Sequence, residues 1–469
     1  MSFMMQSRWV RQNRGDSAGT TSNRSPAHPE MRRHISNAAF GVLDYVAYPL
    51  GMLAIAPLAF RALGIDKYGV WTVATAAISA GAIIASGFGD ANIRIVAVHR
   101  ATGDRAGLLG VVRCSMAIHL VLGAVVAAVG WILAPLAAHR VVADHPNLFR
   151  DCVWSFRLTS LLMLLRSVES VCVSTQRAFA RYGAAVQISL IAKLLSLVAA
   201  ATLPFFDPRV STILLATLAI TICALGIQVF QIGQLLETFQ LSPWFEREAA
   251  LALLSFGSFT WLQAVCGLVV GQADRMIAGF TFGAAAAASY GICAQLAQPI
   301  WGIVAAGLHF LFPYLATQQA VKDPVEIKKT INRAVAASAL FIVLALVGIL
   351  VFGVSILRVW GGEQVARVGQ SMLPTIALST ALSASSVVGS YAMLALGCAR
   401  TVTCLTLAAA ATMFLSIPWL AHIHGVYGIA EARLLYGPIM LLVYIPLFFL
   451  IRRSFATPAS ARAPICEEA

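Results

Sequence analysis

The sequence predicts an all-α integral membrane protein of about twelve transmembrane helices. Three observations carry this. First, 59% of the 469 residues are hydrophobic and 11% are charged, with a mean hydropathy of +0.81, so the chain holds more apolar surface than water tolerates. Second, the apolar residues lie in continuous runs long enough to cross a hydrocarbon core, without the period-two alternation of a membrane barrel. Third, a polar hinge recurs. From Phe60 to Trp71 the chain reads Phe-Arg-Ala-Leu-Gly-Ile-Asp-Lys-Tyr-Gly-Val-Trp, and its Tyr-Gly-aliphatic core returns at Tyr290-Gly291-Ile292. Arg177 and Arg400 close apolar runs in nearly the same register. The chain therefore reads as two halves.

The first run, near 36–60, carries Asp44 in its apolar body, with Pro49 and Pro57 beyond it; the prolines predict a kinked helix packed on several sides. The second, near 70–91, ends on Ser86-Gly87-Phe88-Gly89-Asp90, with Asn92 and Arg94 following, and the third, near 108–134, holds His119. The fourth, near 153–174, contains Arg157, Arg166 and Glu169, and the fifth, near 184–206, adds Lys193. A central Arg, Lys or Asp costs about 2.5 to 3.5 kcal/mol on insertion scales, and residues that carry this cost face a bundle interior or an aqueous cavity. Arg166 and Glu169 are spaced to pair on one helix face, whereas Arg157 points to another side. The sixth run, near 212–236, presents Gln228, Gln231 and Gln234 along one side, as helix glue or a polar path.

A linker with Trp244, Phe245, Glu246 and Arg247 has the mixed character of an interfacial segment. The seventh run, near 250–271, precedes Asp274-Arg275, expected to cap a helix at the outer face. The eighth, near 285–315, carries Gln295, Gln298, Pro299 and His309. The remaining runs lie near 332–357, 370–396, 402–421 and 429–451. The tenth shows a small-residue stripe of Ser379, Ser383, Ser386 and Gly389, suited to close helix contact. No charge is expected deep in the last four spans, which would concentrate the ionisable groups in the first half.

Domain organisation follows: a disordered cytoplasmic arm over 1–34, a six-helix lobe over 35–236, an interlobe linker over 237–249, a second six-helix lobe over 250–453 and a tail over 454–469. The arm lacks the apolar core of a signal peptide. The net charge of +13 is read as topology and not as nucleic-acid binding, because Lys and Arg are retained in cytoplasmic loops; this puts both termini in the cytoplasm. Nine cysteines without a C-x-x-C pair indicate neither a disulfide framework nor a zinc site. His119, His309, His422 and His424 lack partners at ligand spacing. No P-loop, G-x-S-x-G or H-E-x-x-H is present, so the expectation is a non-enzyme without metal or cofactor.

Taken in order, Leu63-Gly64, Asp66, Tyr68-Gly69, Gly87-Phe88 with Arg94, Asp274-Arg275 with Tyr290, Phe312-Pro313, Leu396-Gly397 with Arg400, and Gly425-Val426-Tyr427-Gly428 resemble the polysaccharide transport, Wzx-type flippase branch of the multidrug/oligosaccharidyl-lipid/polysaccharide (MOP) exporter superfamily. The resemblance implies two six-helix lobes around a central cavity, as in MATE transporters. It implies flipping of polyprenyl-pyrophosphate-linked oligosaccharide repeat units across the bacterial inner membrane for exopolysaccharide or surface polysaccharide synthesis. The partners implied are that lipid-linked sugar, membrane lipid, and a polysaccharide polymerase with other export proteins; nucleic acid is not among them. Such a headgroup needs intramembrane cations, which points to Arg157, Arg166 and Lys193 as substrate-binding residues. Asp44 and Glu169 are the coupling or counter-ion candidates, and Gln228, Gln231, Gln295 and Gln298 the polar lumen candidates. The alternatives are a cation-coupled small-molecule or drug exporter of the same superfamily, a lipid II flippase, whose group usually has two further helices, and a membrane-embedded glycan-modifying enzyme.

Overall fold

A long apolar segment in lipid must satisfy its own backbone hydrogen bonds, so each run becomes a helix, and a change of direction needs a residue that can leave helical geometry. The computed structural model describes residues 27–86, 88–179, 182–239, 241–308, 324–396 and 398–456. Its regular elements are helices: α1 (Ala27–Ser86), α2 (Gly89–Thr102), α3 (Arg105–Val141), α4 (Phe149–Ala178), α5 (Tyr182–Thr202), α6 (Val210–Leu235), α7 (Arg247–Phe282), α8 (Ala284–Gly307), α9 (Pro324–Ser385), α10 (Val387–Ala395), α11 (Ala399–His424), α12 (Val426–Leu434), α13 (Tyr436–Leu441) and α14 (Tyr444–Ala456). Two compact units result, one ending at Ala39 and one running from Phe40 onward. All packing discussed below lies in the second.

Because α1 starts at Ala27, residues 27–34 of the expected arm are helical; residues 1–26, the tail from 457, His309 and Phe312-Pro313 lie outside the described residues. The hinge predicted around Gly64 is present. Gly64 breaks α1 with φ 75° and ψ 171°, Gly283 separates α7 from α8 with φ 84° and ψ 179°, and Gly362 breaks α9 with φ 79° and ψ −175°. Gly425 does the same between α11 and α12 at φ 60°. Positive φ with extended ψ is glycine territory. Counted with these breaks, the described segments supply twelve successive crossings, α2 prolonging the second, α10 the tenth and α12 to α14 forming the last. Among the described residues, eight helical segments are long and apolar enough by themselves to cross a membrane.

All four glycine breaks fall on the same end of the bundle, here called the hinge end. At Gly64 a built Cβ would meet nothing within 4 Å, so only backbone strain opposes substitution there. Gly64→Ala is expected to destabilise the protein by about 1 to 2 kcal/mol, read as a modest drop in thermal unfolding temperature of the purified protein.

In the first half, α4 packs against α2, α3, α5 and α6; in the second, α9 packs against α8, α12 and α13. The halves meet at the hinge end and also where α7 packs on α2 and α3, with Leu253 of α7 in one apolar cluster with Phe88 and Val112. Tyr68, just beyond Gly64, and Tyr290, just beyond Gly283, are both fully buried. Gly69 lies against the backbone of Ala284, and a Cβ on Gly291 would fall 2.5 Å from Thr72 Cγ2. The Tyr-Gly pair of each half therefore packs on the helix that carries the other pair, which accounts for its recurrence. Tyr68 Oη donates to Gln295 Oε1 at 3.0 Å across the seam, and Arg61 Nη2 donates to the Val359 carbonyl at 2.5 Å. At the opposite end the linker is bound to the first half: Arg113 donates to the Ser242 carbonyl and hydroxyl, and Arg105 pairs with Glu237 at 3.0 Å. Among the described residues six cysteines are free, whereas Cys398 is disulfide-bonded, against the expectation that the cysteines form no disulfide.

Candidate functional site

Charge within an apolar bundle must be paired or hydrogen-bonded, and two such clusters stand out among the described residues. The first is built by α4, α5 and α6. Arg166 Nη1 pairs with Glu169 Oε2 at 2.6 Å, with the two side chains 16% and 7% exposed. Ser189 Oγ donates to Glu169 Oε1 at 2.7 Å, and Gln228 Nε2 donates to Ser189 Oγ at 3.0 Å and to Glu169 Oε1 at 3.4 Å. By helix rise, Glu169 and Gln228 lie about 10 to 14 Å from the ends of α4 and α6 opposite the hinge. The predicted spacing thus brings Arg166 and Glu169 together, Gln228 joins them from α6, and Glu169 neutralises Arg166 directly. The Oε1 atoms of Gln228 and Gln231 are enclosed without a hydrogen-bond partner.

Arg157 lies apart from this cluster. Its guanidinium sits over two indoles, 5.2 Å from the Trp131 ring centroid and 5.4 Å from that of Trp154, contacts favourable to a desolvated cation. Arg157 Nε is enclosed without a hydrogen-bond partner. Lys193 is half-buried on α5. The backbone of Asp44 lies in α1, while its side chain is outside the described ones.

The second place is in the other half. Asp274 of α7 is fully buried; its Oδ2 accepts from Tyr290 Oη at 2.9 Å and from Arg433 Nη1 of α12. Asp274 Oδ1 accepts from the Arg275 backbone N–H at 2.8 Å. The Arg275 Nη2 donates to Gln298 Oε1 at 3.1 Å, one helical turn along α8 from Gln295, which holds Tyr68. Asp274 and Arg433 each lie about 12 to 14 Å along their helices from Gly283 and Gly425.

Two expectations are corrected here. Asp274-Arg275 does not cap a helix at the outer face, because α7 continues to Phe282 and Asp274 is internal. Nor do the last four spans lack deep charge, since Arg433, 18% exposed, is ion-paired within the second half. Sequence reasoning missed this site because its partners are far apart along the chain; the one signal was the Asp274-Arg275 pair followed by the recurring Tyr290. Gln295 and Gln298, predicted as lumen residues, do join it.

Outside the spans, Asp207 is held down to about 2 by hydrogen bonds from Arg209 and Thr212, so it stays ionised near neutral pH and exchanges no protons there. Among the described residues no group of three or more His, Cys, Asp and Glu side chains is placed to hold a metal ion.

Comparison with known proteins agrees with this architecture. No curated protein matches the sequence. Among solved structures, the chain is similar to an inward-facing multidrug resistance MATE family transporter of the MOP superfamily, with TM-score 0.72, 14% identity, and 89% of this chain and 100% of that one covered. An outward-facing MATE family transporter of the MOP superfamily gives 0.60 at 13% identity, covering 91% and 97%. The lipid II flippase MurJ in an inward closed conformation gives 0.64 at 11% identity, covering 91% and 90%. At these identities the likeness shows the fold. Residues 58–368 match the sequence pattern of a family described as polysaccharide biosynthesis protein, which is more than half of the chain. The chain thus belongs to the polysaccharide biosynthesis protein family and carries the fold of the MOP superfamily transporters.

Proposed function

We propose that this protein flips polyprenyl-pyrophosphate-linked oligosaccharide repeat units across the bacterial inner membrane, without itself catalysing a covalent reaction. The observation that carries the reading is the polysaccharide biosynthesis family match over 58–368 on a chain with the fold of a MOP transporter and of the lipid II flippase MurJ. The chemistry of the interior supports it. A pyrophosphate-linked glycan is anionic and hydrophilic, and guanidinium groups bind phosphate oxygens well. Arg157, Arg166 and Lys193 are its proposed contacts in the first half. Glu169 acts as the counter-ion of Arg166, releasing it in part when phosphate approaches, and Asp44 is the candidate coupling carboxylate of the first helix.

Export of cationic drugs, by contrast, needs carboxylates with free valence. The buried carboxylates Glu169 and Asp274 are each already bound to an arginine, which favours an anionic cargo.

With both termini in the cytoplasm and lobes over 35–236 and 250–453, the hinge end faces outward. The seam there is closed by Gly69 against Ala284 and by Tyr68 on Gln295, and the likeness to the inward-facing transporter exceeds that to the outward-facing one. This state would load from the cytoplasmic leaflet and unload after the lobes rock apart at the hinge end.

The test is transfer of a fluorescent polyprenyl-pyrophosphate oligosaccharide between leaflets of proteoliposomes. Wild type is expected to transfer it, and Arg166→Gln to slow transfer at least tenfold while inserting normally. No transfer by wild type, together with export of a cationic dye, would overturn the assignment; full activity of Arg166→Gln would remove Arg166 from the site.

A further inference from the structure

The two buried charge clusters differ in their balance. In the first half one arginine faces one carboxylate, Arg166 with Glu169. In the second, two arginines share one carboxylate: Arg433 and Arg275 surround Asp274. Both oxygens of Asp274 are already occupied, Oδ2 by Arg433 and Tyr290 and Oδ1 by the Arg275 backbone N–H. The Arg275 guanidinium is left with a neutral amide, Gln298 Oε1, and its Nε is enclosed with no hydrogen-bond partner. A guanidinium in a low-dielectric bundle without a matched anion is held at a disadvantage unless a charge arrives to meet it.

Its position says where that charge would come from. Gln298, which binds Arg275, and Gln295, which binds Tyr68 of the first half, are one turn apart and so share a face of α8. Arg275 therefore stands beside the seam between the halves, nearer the hinge end than the Glu169 cluster. We infer that Arg275, supported by Arg433, forms a second anion site that takes a phosphate group at the junction of the halves. Resting on the flippase reading above, the site would receive the lipid-linked diphosphate headgroup after it leaves Arg166, so that the cargo passes from a cation with its own carboxylate to one that shares a carboxylate with Arg433 as it moves towards the hinge end. Asp274 and Tyr290 are positioning residues here: they fix Arg433 and the start of the α8 face, and touch no cargo.

The experiment titrates the purified full-length protein in lipid nanodiscs with farnesyl pyrophosphate, and separately with inorganic pyrophosphate, by calorimetry. Wild type is expected to bind farnesyl pyrophosphate. Arg275→Gln is expected to weaken binding at least tenfold and Arg275→Lys by less, with thermal unfolding of both close to wild type. Unchanged affinity in Arg275→Gln overturns the inference, and so does a large loss of thermal stability with affinity retained in the folded fraction, which marks a structural arginine. Binding of inorganic pyrophosphate as tightly as the farnesyl compound overturns the assignment to a lipid headgroup. Weakening by Arg166→Gln but not by Arg275→Gln removes this site and leaves the flippase reading standing, whereas absence of both binding and leaflet transfer in wild type removes that reading itself.

Discussion

Gly69→Ala is expected to destabilise the protein by about 3 kcal/mol or more, at or above the usual range for overpacking, and to abolish transport. Gly69 lies within a helical stretch, so alanine suits its backbone geometry. The objection is space. A Cβ there would overlap the carbonyl carbon and oxygen of Ala284, and these are main-chain atoms at the start of α8 that cannot rotate away. Either the seam opens or α8 shifts, and the shift would carry Gln295 away from Tyr68 and disturb the buried hydroxyl-to-amide hydrogen bond. Two companions sharpen the result. Gly291→Ala meets Thr72 Cγ2 at 2.5 Å, a side-chain atom that can turn, so its effect should be smaller. Gly226→Ala, in α6 with nothing within 4 Å, should be neutral or stabilise by about 0.5 to 1 kcal/mol through helix propensity. Fluorescence-detected size-exclusion after a heating series measures all three, and equal behaviour of Gly69→Ala and Gly226→Ala would contradict the close approach.

The same glycines show why much of this fold was legible in the sequence. A helix break in lipid needs a residue that tolerates positive φ, and only a few residue types can supply it, so Leu63-Gly64 before Asp66 announced the turn, whereas the close approach of Gly69 to Ala284 depends on packing between segments far apart in the chain. The apolar runs, with backbone satisfied internally, left few choices but helix. Where the reading went astray, the cause was burial it could not see. Asp274 and Arg275 looked like the end of the seventh span because charge normally marks an interface; α7 instead continues, since Arg433, 159 positions away, neutralises Asp274 within the bundle. Local pairing was readable for Arg166 and Glu169 because their three-residue spacing fixes a common face. The stacking of Arg157 between Trp131 and Trp154 was readable only in part: Trp154 is on the same helix, but Trp131 comes from α3.

Asp274→Asn should be the more damaging of two substitutions that break the same ion pair. Removing the carboxylate leaves Arg433 and Arg275 close together in a buried cluster with no anion, and breaking a buried pair from one side costs about 3 to 5 kcal/mol. Removing the cation by Arg433→Leu leaves Asp274 with Tyr290 and with Arg275 still next to it in sequence, so a second guanidinium is at hand and the loss should be smaller by about 1 kcal/mol or more. The double variant Asp274→Leu/Arg433→Leu removes both charges and is expected to recover most of the stability of wild type, as isosteric replacement of buried pairs commonly does. Such ordering does not follow from a simple one-to-one salt bridge, in which either single change would leave one orphaned charge and similar damage. Denaturation of the purified variants under identical detergent conditions gives the three values. If Arg433→Leu proves as harmful as Asp274→Asn, Arg275 is not electrostatically part of the cluster, and the charge excess assigned to the seam disappears with it.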